Sequence, residues 1–410
     1  MYPKENQSMY LAQKTKTLPR SIRSQQVSDE RTGGEGRKQN KQAHRWNRMV
    51  YGSIPSLATK IYNNMNLISQ AKTWLSVKNT SWETVLYTFM SSLKDTHCLA
   101  KGIDAKSAEK EVQSVIDSIY TIIDSYHAGK VINALDETKR LLIKDFYISL
   151  PKGTPFFRAR GNETGFLYKK EEMFHIPFDK RYLVGNQRYS ISGLPCLYLG
   201  GSPYVCWEEL GRPDYQKCNH SGFKTNEVVY VYDFCLPKEL KSLFDVRRAA
   251  LILACSIPAD SKHVFKDEYI LPQCVFQAII EKHYNNGESF NEDYIFGIRY
   301  YSTHYLKGKM NMFAFDEDND EEMSRLVNYI FPSISNGYSG LSKYLLRAFE
   351  YTAPISYMHM SIKDTTFGIG GSDDEYASSS FGAIEDVLRK ELGVERIRED
   401  LSILLCKAGE

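Results

Sequence analysis

Across residues 104–127 the apolar side chains fall at Val112, Val115, Ile116, Ile119, Ile122, Ile123 and Tyr126. Steps of three and four put them on one stripe, so the spacing predicts a long amphipathic helix, with Gly129 placed to end it. Ser81 ahead of Trp82-Glu83-Thr84 predicts a capped helix start, and 135–146 reads as a further amphipathic helix. Residues 46–150 are therefore expected to be all-helical. At Leu150-Pro151-Lys152-Gly153-Thr154-Pro155 no helix can continue. Beyond that break, short apolar runs predict strands at 156–160, 196–199, 228–234 and 296–301, with helical stretches at 203–210 and 273–283. Strands and helices mixed without a strict βαβ rhythm predict an α+β fold.

The ends of the chain differ in character. Residues 1–45, rich in Gln, Lys, Arg, Ser and Gly, cannot build a core and are expected to form a disordered basic tail. The acidic run 316–322 predicts a solvated loop, 368–380 a Gly/Ser/Asp loop, and 381–392 a helix. Four regions result: the tail at 1–45, a helical N-terminal region at 46–150, an α+β domain at 151–320, and a C-terminal extension at 321–410 packing on that domain.

Composition narrows the class. A chain of 410 residues with 42% hydrophobic and 25% charged side chains is globular, not collagenous, coiled-coil or wholly disordered. No stretch reaches the roughly eighteen apolar residues of a membrane span, and no signal-peptide block opens the chain, so a cytoplasmic protein without membrane contact is expected. The net charge of +2 predicts no general polyanion binding, although residues 1–50 carry +7 and the rest −5. Nothing aromatic interleaves the basic tail, which speaks against nucleic acid as partner. Eight cysteines occur without a CxxC pair, and Cys218-x-His220 has no second ligand pair at zinc spacing. No metal is expected.

Walker, GxSxG, HExxH and Rossmann signatures are absent. Gly368-Ile369-Gly370-Gly371-Ser372 is trailed by Asp373, Asp374 and Glu375, which would repel phosphate, so a plain loop is the better reading. His175 and His304 stand as outside candidates for acid–base work. More informative is the stretch from Phe157 to Ser302. Arg158 and Arg160 fall on one face of a strand. Asn186-Gln187-Arg188-Tyr189-Ser190 reads as a polar turn. Leu197-Tyr198-Leu199-Gly200-Gly201-Ser202-Pro203 reads as strand, tight turn and capped helix start, and that helix carries Glu208 and Glu209. Gly297-Ile298-Arg299-Tyr300-Tyr301-Ser302 is a strand ending in a hydroxyl.

A leading aromatic-Arg, an Arg-aromatic turn, then Leu-Tyr-x-x-x-Ser-Pro with Glu eleven residues after that Tyr resemble the RES domain. The likeness covers about 155–305. It departs from the family in the turn, where Tyr189-Ser190-Ile191-Ser192 replaces the usual Trp-Asn-Pro-Pro, and in the helical region before 150. The resemblance implies an ADP-ribosyltransferase-like fold and a bacterial toxin that consumes NAD⁺. Matched residue by residue, it implies Glu209 and Arg158 as catalytic groups. Arg158, Arg188, Tyr198, Ser302 and Gln273, the last in Leu271-Pro272-Gln273-Cys274, would bind NAD. NAD is then substrate, and no metal is required. An antitoxin or immunity protein is the implied partner, with self-association left open.

The chemistry suits these types. Expelling neutral nicotinamide leaves positive charge on the ribose, which a carboxylate stabilises; guanidinium forks grip the diphosphate; tyrosine offers a flat face. The expected reaction is cleavage of the nicotinamide–ribosyl bond by water or phosphate. Two rivals remain: ADP-ribosyl transfer to a protein or nucleic acid, and a catalytically silent module that senses a nucleotide or binds a partner. Ser202 is expected to be a helix cap and not a ligand.

Overall fold

The computed structural model describes residues 65–94, 99–142, 147–260, 262–284, 296–334, 338–360 and 375–394. All belong to one compact unit, Thr59–Glu410. The expected tail at 1–45 and the loop around 368–372 lie outside the described residues.

Among the described residues four helices come first: α1 (Leu67–Leu75), α2 (Trp82–Ser92), α3 (Ala105–His127) and α4 (Val131–Leu141). Each of the first three is capped by the side chain before it: Asn66, Ser81 and Asp104 accept from backbone N–H groups of the first turn. In α3 the buried residues include Val112, Val115, Ile116, Ile119 and Ile122, the stripe read from the sequence. The helix ends at Ala128, and Gly129 follows at φ +74°, where a side chain would be strained. This region is not helical throughout: β1 (Tyr147–Leu150) closes it and pairs with a strand of the main sheet.

The rest is strand-dominated. In order come β2 (Pro155–Arg160), β3 (Cys196–Gly200), α5 (Pro203–Glu209), β4 (Asn219–Thr225), β5 (Val229–Phe234), α6 (Leu243–Cys255), α7 (Ile270–Tyr284), β6 (Phe296–Tyr301) and the one-turn α8 (Thr303–Leu306). Then follow α9 (Asp320–Ser324), β7 (Val327–Pro332), α10 (Lys343–Ala348), β8 (Phe349–Tyr351) and α11 (Ser380–Leu392). Eight strands form one mixed sheet in the order β1-β5-β6-β7-β3-β2-β4-β8, with β5–β6 parallel and the other pairs antiparallel. The fold is α+β.

Two regional expectations change. Residues 321–410, expected as an extension packing on the domain, contribute β7 and β8 to the same sheet, and β7 lies between β6 and β3 near its centre. A strand buried at all six positions has no polar face to give a period, so Val-Asn-Tyr-Ile-Phe-Pro looks like any apolar run. The acidic run is also more than a solvated loop. Glu317 accepts from Lys72 (3.1 Å) and Tyr305 (2.9 Å), tying α1 to α8, and Asp320 opens α9.

The helical layer packs on the sheet domain through α6 and α7. Lys139–Glu281 (2.5 Å) links α4 to α7, and Arg247–Glu111 (3.5 Å) links α6 to α3.

Candidate functional site

Close backbone approach shapes the turn after β3. A Cβ on Gly200 would stand 2.6 Å from both Cys206 Sγ and Val205 Cγ1, and one on Gly201 would stand 1.9 Å from the Ser324 carbonyl oxygen. Only glycine lets α5 fold back this tightly. Gly201→Ala is expected to lose about 1–3 kcal/mol, because the obstructing atom is backbone and cannot swing away. Urea unfolding measures this; wild-type stability would remove the constraint. Ser202 then caps α5: its hydroxyl accepts from Val205 N (3.1 Å) and donates to Arg325 O (2.7 Å).

α5 ends in two glutamates with different fates. Glu208 is buried, and its Oε2 accepts from Arg212 Nε (2.9 Å). Glu209 is exposed, and its Oε1 accepts from Ser302 Oγ (2.5 Å) and Asn328 Nδ2 (2.8 Å). Among the described residues Oε2 of Glu209 accepts nothing. One carboxylate oxygen is thus fixed by two donors, from Ser302 after β6 and Asn328 of β7.

Strand register explains why these groups meet. Gly200 faces Asn328 across β3–β7, and Asn328 faces Tyr300 across β6–β7. Opposite residues share a face, so Tyr198, Gly200, Asn328 and Tyr300 line the side of the sheet that carries α5. Ser302 follows β6 directly; fully buried, it also caps α8 through His304 N (3.2 Å).

Arg188 reaches the same region from the 186–190 turn. Gln273 of α7 holds that turn, donating from Nε2 to Asn186 Oδ1 (2.5 Å) and Gln187 O (2.8 Å). Arg188 itself is buried; Nη1 donates to Cys255 O (2.7 Å) and Nη2 to Ile257 O (2.8 Å), and its guanidinium lies 5.1 Å from the centre of the Tyr269 ring. Carbonyls at the negative end of α6 steady the charge, but among the described residues no carboxylate pairs with it. Tyr189 stacks at a tilt on Tyr300, centroids 5.0 Å apart, and its carbonyl accepts from the Tyr198 hydroxyl (3.2 Å). Burial raises the Tyr300 hydroxyl pKa; the Glu209 charge raises it further and Arg188 opposes this, so the phenol feels both groups.

The six residues expected from sequence divide accordingly. Glu209 and Ser302 are in contact, Tyr198 and Arg188 approach them through Tyr189 and Tyr300, and Gln273 acts on the turn that carries Arg188. Arg158 shares no hydrogen bond with the other five side chains. β2 and β3 pair at one position only, Phe157 opposite Gly200, and just beyond it Arg158 Nη1 donates to the Tyr198 carbonyl (2.8 Å). Burial lowers its pKa to about 10. Arg160 is exposed, donating to Glu172 O (2.9 Å) and lying over the Tyr168 ring.

His175 is spoken for. Its Nδ1 bonds Ile176 O (2.8 Å) and its Nε2 accepts from Ser342 N (2.8 Å); burial drops its pKa to about 4, so it is a neutral structural link. Cys218 and His220 are both buried, and among the described residues no group of three or more His, Cys, Asp or Glu side chains is placed to hold a metal.

Sequence reasoning passed over Asn328, Tyr189 and Tyr300. For Asn328 a signal existed: an amide inside a buried apolar strand needs a partner.

Comparison with known proteins adds one relative. Over 222 residues the chain is 33% identical to a protein of Bacillus subtilis (strain 168) described as "Putative toxin YopC", a match covering 49% of this chain and 46% of that protein. The chain thus matches about half the length of that relative. No family model and no solved structure matches it. Among the described residues no helix is long and apolar enough to cross a membrane.

Proposed function

We propose that this protein is a cytoplasmic, NAD⁺-consuming toxin of the RES type, built on an ADP-ribosyltransferase-like sheet, that cleaves the bond between nicotinamide and ribose. The observation that carries the reading is the Glu209 carboxylate: it is held through one oxygen by Ser302 and Asn328, beside tyrosine rings and a guanidinium that no carboxylate among the described residues neutralises. The relative's description as a toxin agrees with a reaction whose outcome is NAD⁺ depletion and growth arrest.

In this reading Glu209 faces the ribose and stabilises the positive charge that develops as neutral nicotinamide leaves. Its pre-set orientation needs no reorganisation at that moment. Tyr198 and Tyr300 provide flat apolar surface, and Arg188 supplies donors to the diphosphate. Ser302 and Asn328 are positioning residues. Arg158 steadies the strand that carries Tyr198 and adds a desolvated positive charge beneath the site. Water or phosphate receives the ADP-ribosyl group.

Purified protein incubated with NAD⁺ labelled in the adenosine half tests the reaction. Free nicotinamide with the label in small products is the expected result. Label retained on a macromolecule would assign ADP-ribosyl transfer instead, and absence of nicotinamide release, with phosphate present, would overturn the reading. Asn328→Ala is expected to lower kcat/KM by about 10–100-fold, the worth of one hydrogen bond to a charged group. A rate equal to wild type would mean that Asn328 does not position the carboxylate.

A further inference from the structure

We propose that Glu317 is a positioning residue: through Tyr305 it holds α8, and with it Ser302, where Ser302 orients the Glu209 carboxylate. The inference rests on the NAD⁺ reading above and brings the helical N-terminal region into the reaction.

Both donors to Glu209 depend on segments that Glu317 joins. Ser302 donates to Glu209 Oε1 and opens α8, its hydroxyl accepting from His304 N (3.2 Å) and its carbonyl from Leu306 N (3.1 Å). Asn328, the other donor, belongs to the stretch that runs from Glu317 through α9 into β7. Ser302 N donates to Leu326 O (2.9 Å), and the Tyr305 hydroxyl of α8 donates to Glu317 Oε1 (2.9 Å), so backbone and side chain both fasten α8 to that stretch. Asp316 N donates to Glu322 Oε2 (2.7 Å), which fixes the residue before Glu317 against α9.

Helix α1 completes the node. Ser69 Oγ donates to Glu317 Oε2 (2.5 Å), Lys72 Nζ pairs with Oε1 (3.1 Å), and the Lys72 ammonium lies 4.4 Å from the centre of the Tyr305 ring. A Cβ on Gly308 would stand 3.8 Å from Ser76 Oγ, so the end of α1 meets the chain just after α8 as well. Burial would raise the Glu317 pKa, but Ser69, Lys72 and Tyr305 outweigh it and hold the carboxyl below its ordinary value. A charged acceptor strengthens these bonds, and the buried Tyr305 hydroxyl would have to move or stay unsatisfied without it. A one-turn helix has too few bonds of its own to keep its place. The Glu317 node supplies what α8 lacks, and slack there passes through Ser302 to the carboxylate, where a displacement of about 1 Å can cost on the order of 100-fold in rate.

Kinetics of nicotinamide release and hydrogen exchange of the α8 amides test the role in the full chain and in Glu317→Ala, Glu317→Gln, Tyr305→Phe and Lys139→Met. Glu317→Ala and Tyr305→Phe are each expected to lower kcat by about tenfold with KM within about twofold of wild type, and together to do no more than either alone. Glu317→Gln, which keeps an acceptor for Tyr305, should recover most of the loss. The His304 and Leu306 amides should exchange at least about tenfold faster in Glu317→Ala. Lys139→Met, which cuts a different link between the helices and the sheet domain, should change neither rate nor exchange. Wild-type kcat in Glu317→Ala, exchange of α8 no faster than in wild type, or an equal loss in Lys139→Met would overturn the proposal. The two readings fail separately: a wild type that releases no nicotinamide sinks the reaction, and the exchange rates then decide alone whether Glu317 holds Ser302.

Discussion

Glu209→Gln is expected to slow nicotinamide release by about 10²–10³-fold while leaving the fold intact. The substitution keeps shape and an acceptor oxygen for Ser302 and Asn328, and removes only the negative charge. Because Glu209 is exposed, its replacement should move stability by no more than about 0.5 kcal/mol. The neighbouring residue is the control. Glu208 is buried against Arg212, so Glu208→Gln should weaken folding through that pair, with a much smaller effect on the rate per folded molecule. Chromatographic detection of nicotinamide and thermal melts of the three proteins separate the two effects. A Glu209→Gln enzyme with more than half the wild-type rate would remove the carboxylate from the chemistry. In cells that express the chain, the same substitution should relieve growth arrest.

The local structure around Glu209 is legible in the sequence. A strand, two glycines, a Ser-Pro cap and a glutamate at the end of a two-turn helix follow from local rules, and β3, its turn and α5 agree with them. What local rules could not supply was the choice between Glu208 and Glu209. Helix geometry turns neighbours about 100° apart, so only one could enter the site. Burial, which usually marks the important side chain, here marks the structural one: Glu208 is locked to Arg212 while exposed Glu209 takes the donors from Ser302 and Asn328. The contributions of β7 were hidden for a different reason. Asn328 is 119 residues from its partner Glu209, and its strand lacks the alternation that would have announced it. Arg188 illustrates a third limit. The arginine of a polar turn is buried, because carbonyls at the end of α6 reach it from about seventy residues away in sequence. Such pairings depend on the assembled fold and not on the segment.

The largest loss of stability is expected on the same sheet, outside the candidate site, at Asp233. Its carboxylate accepts Arg299 Nε (2.8 Å) and Nη2 (3.0 Å) in a two-pronged pair across the parallel β5–β6 junction, and Arg248 of α6 approaches within 2.6 Å. The Cys235 N–H completes the shell at 3.0 Å. Asp233→Ala would take from two largely buried guanidiniums the carboxylate they share, and about 3–5 kcal/mol of stability should disappear with it. Burial by itself would raise the Asp233 pKa, but Arg299 and Arg248 outweigh it and hold the carboxyl well below the ordinary carboxylate range. The sign of the pH dependence follows. A carboxyl with a depressed folded-state pKa contributes its stability in full above the unfolded value, about 4, and loses it as the pH falls toward the folded value. Urea unfolding of wild type and Asp233→Asn should therefore show a wide gap at pH 7 that narrows steadily below about pH 4. A gap independent of pH would mean that packing, and not charge, is what Asp233 provides where β5, β6 and α6 meet.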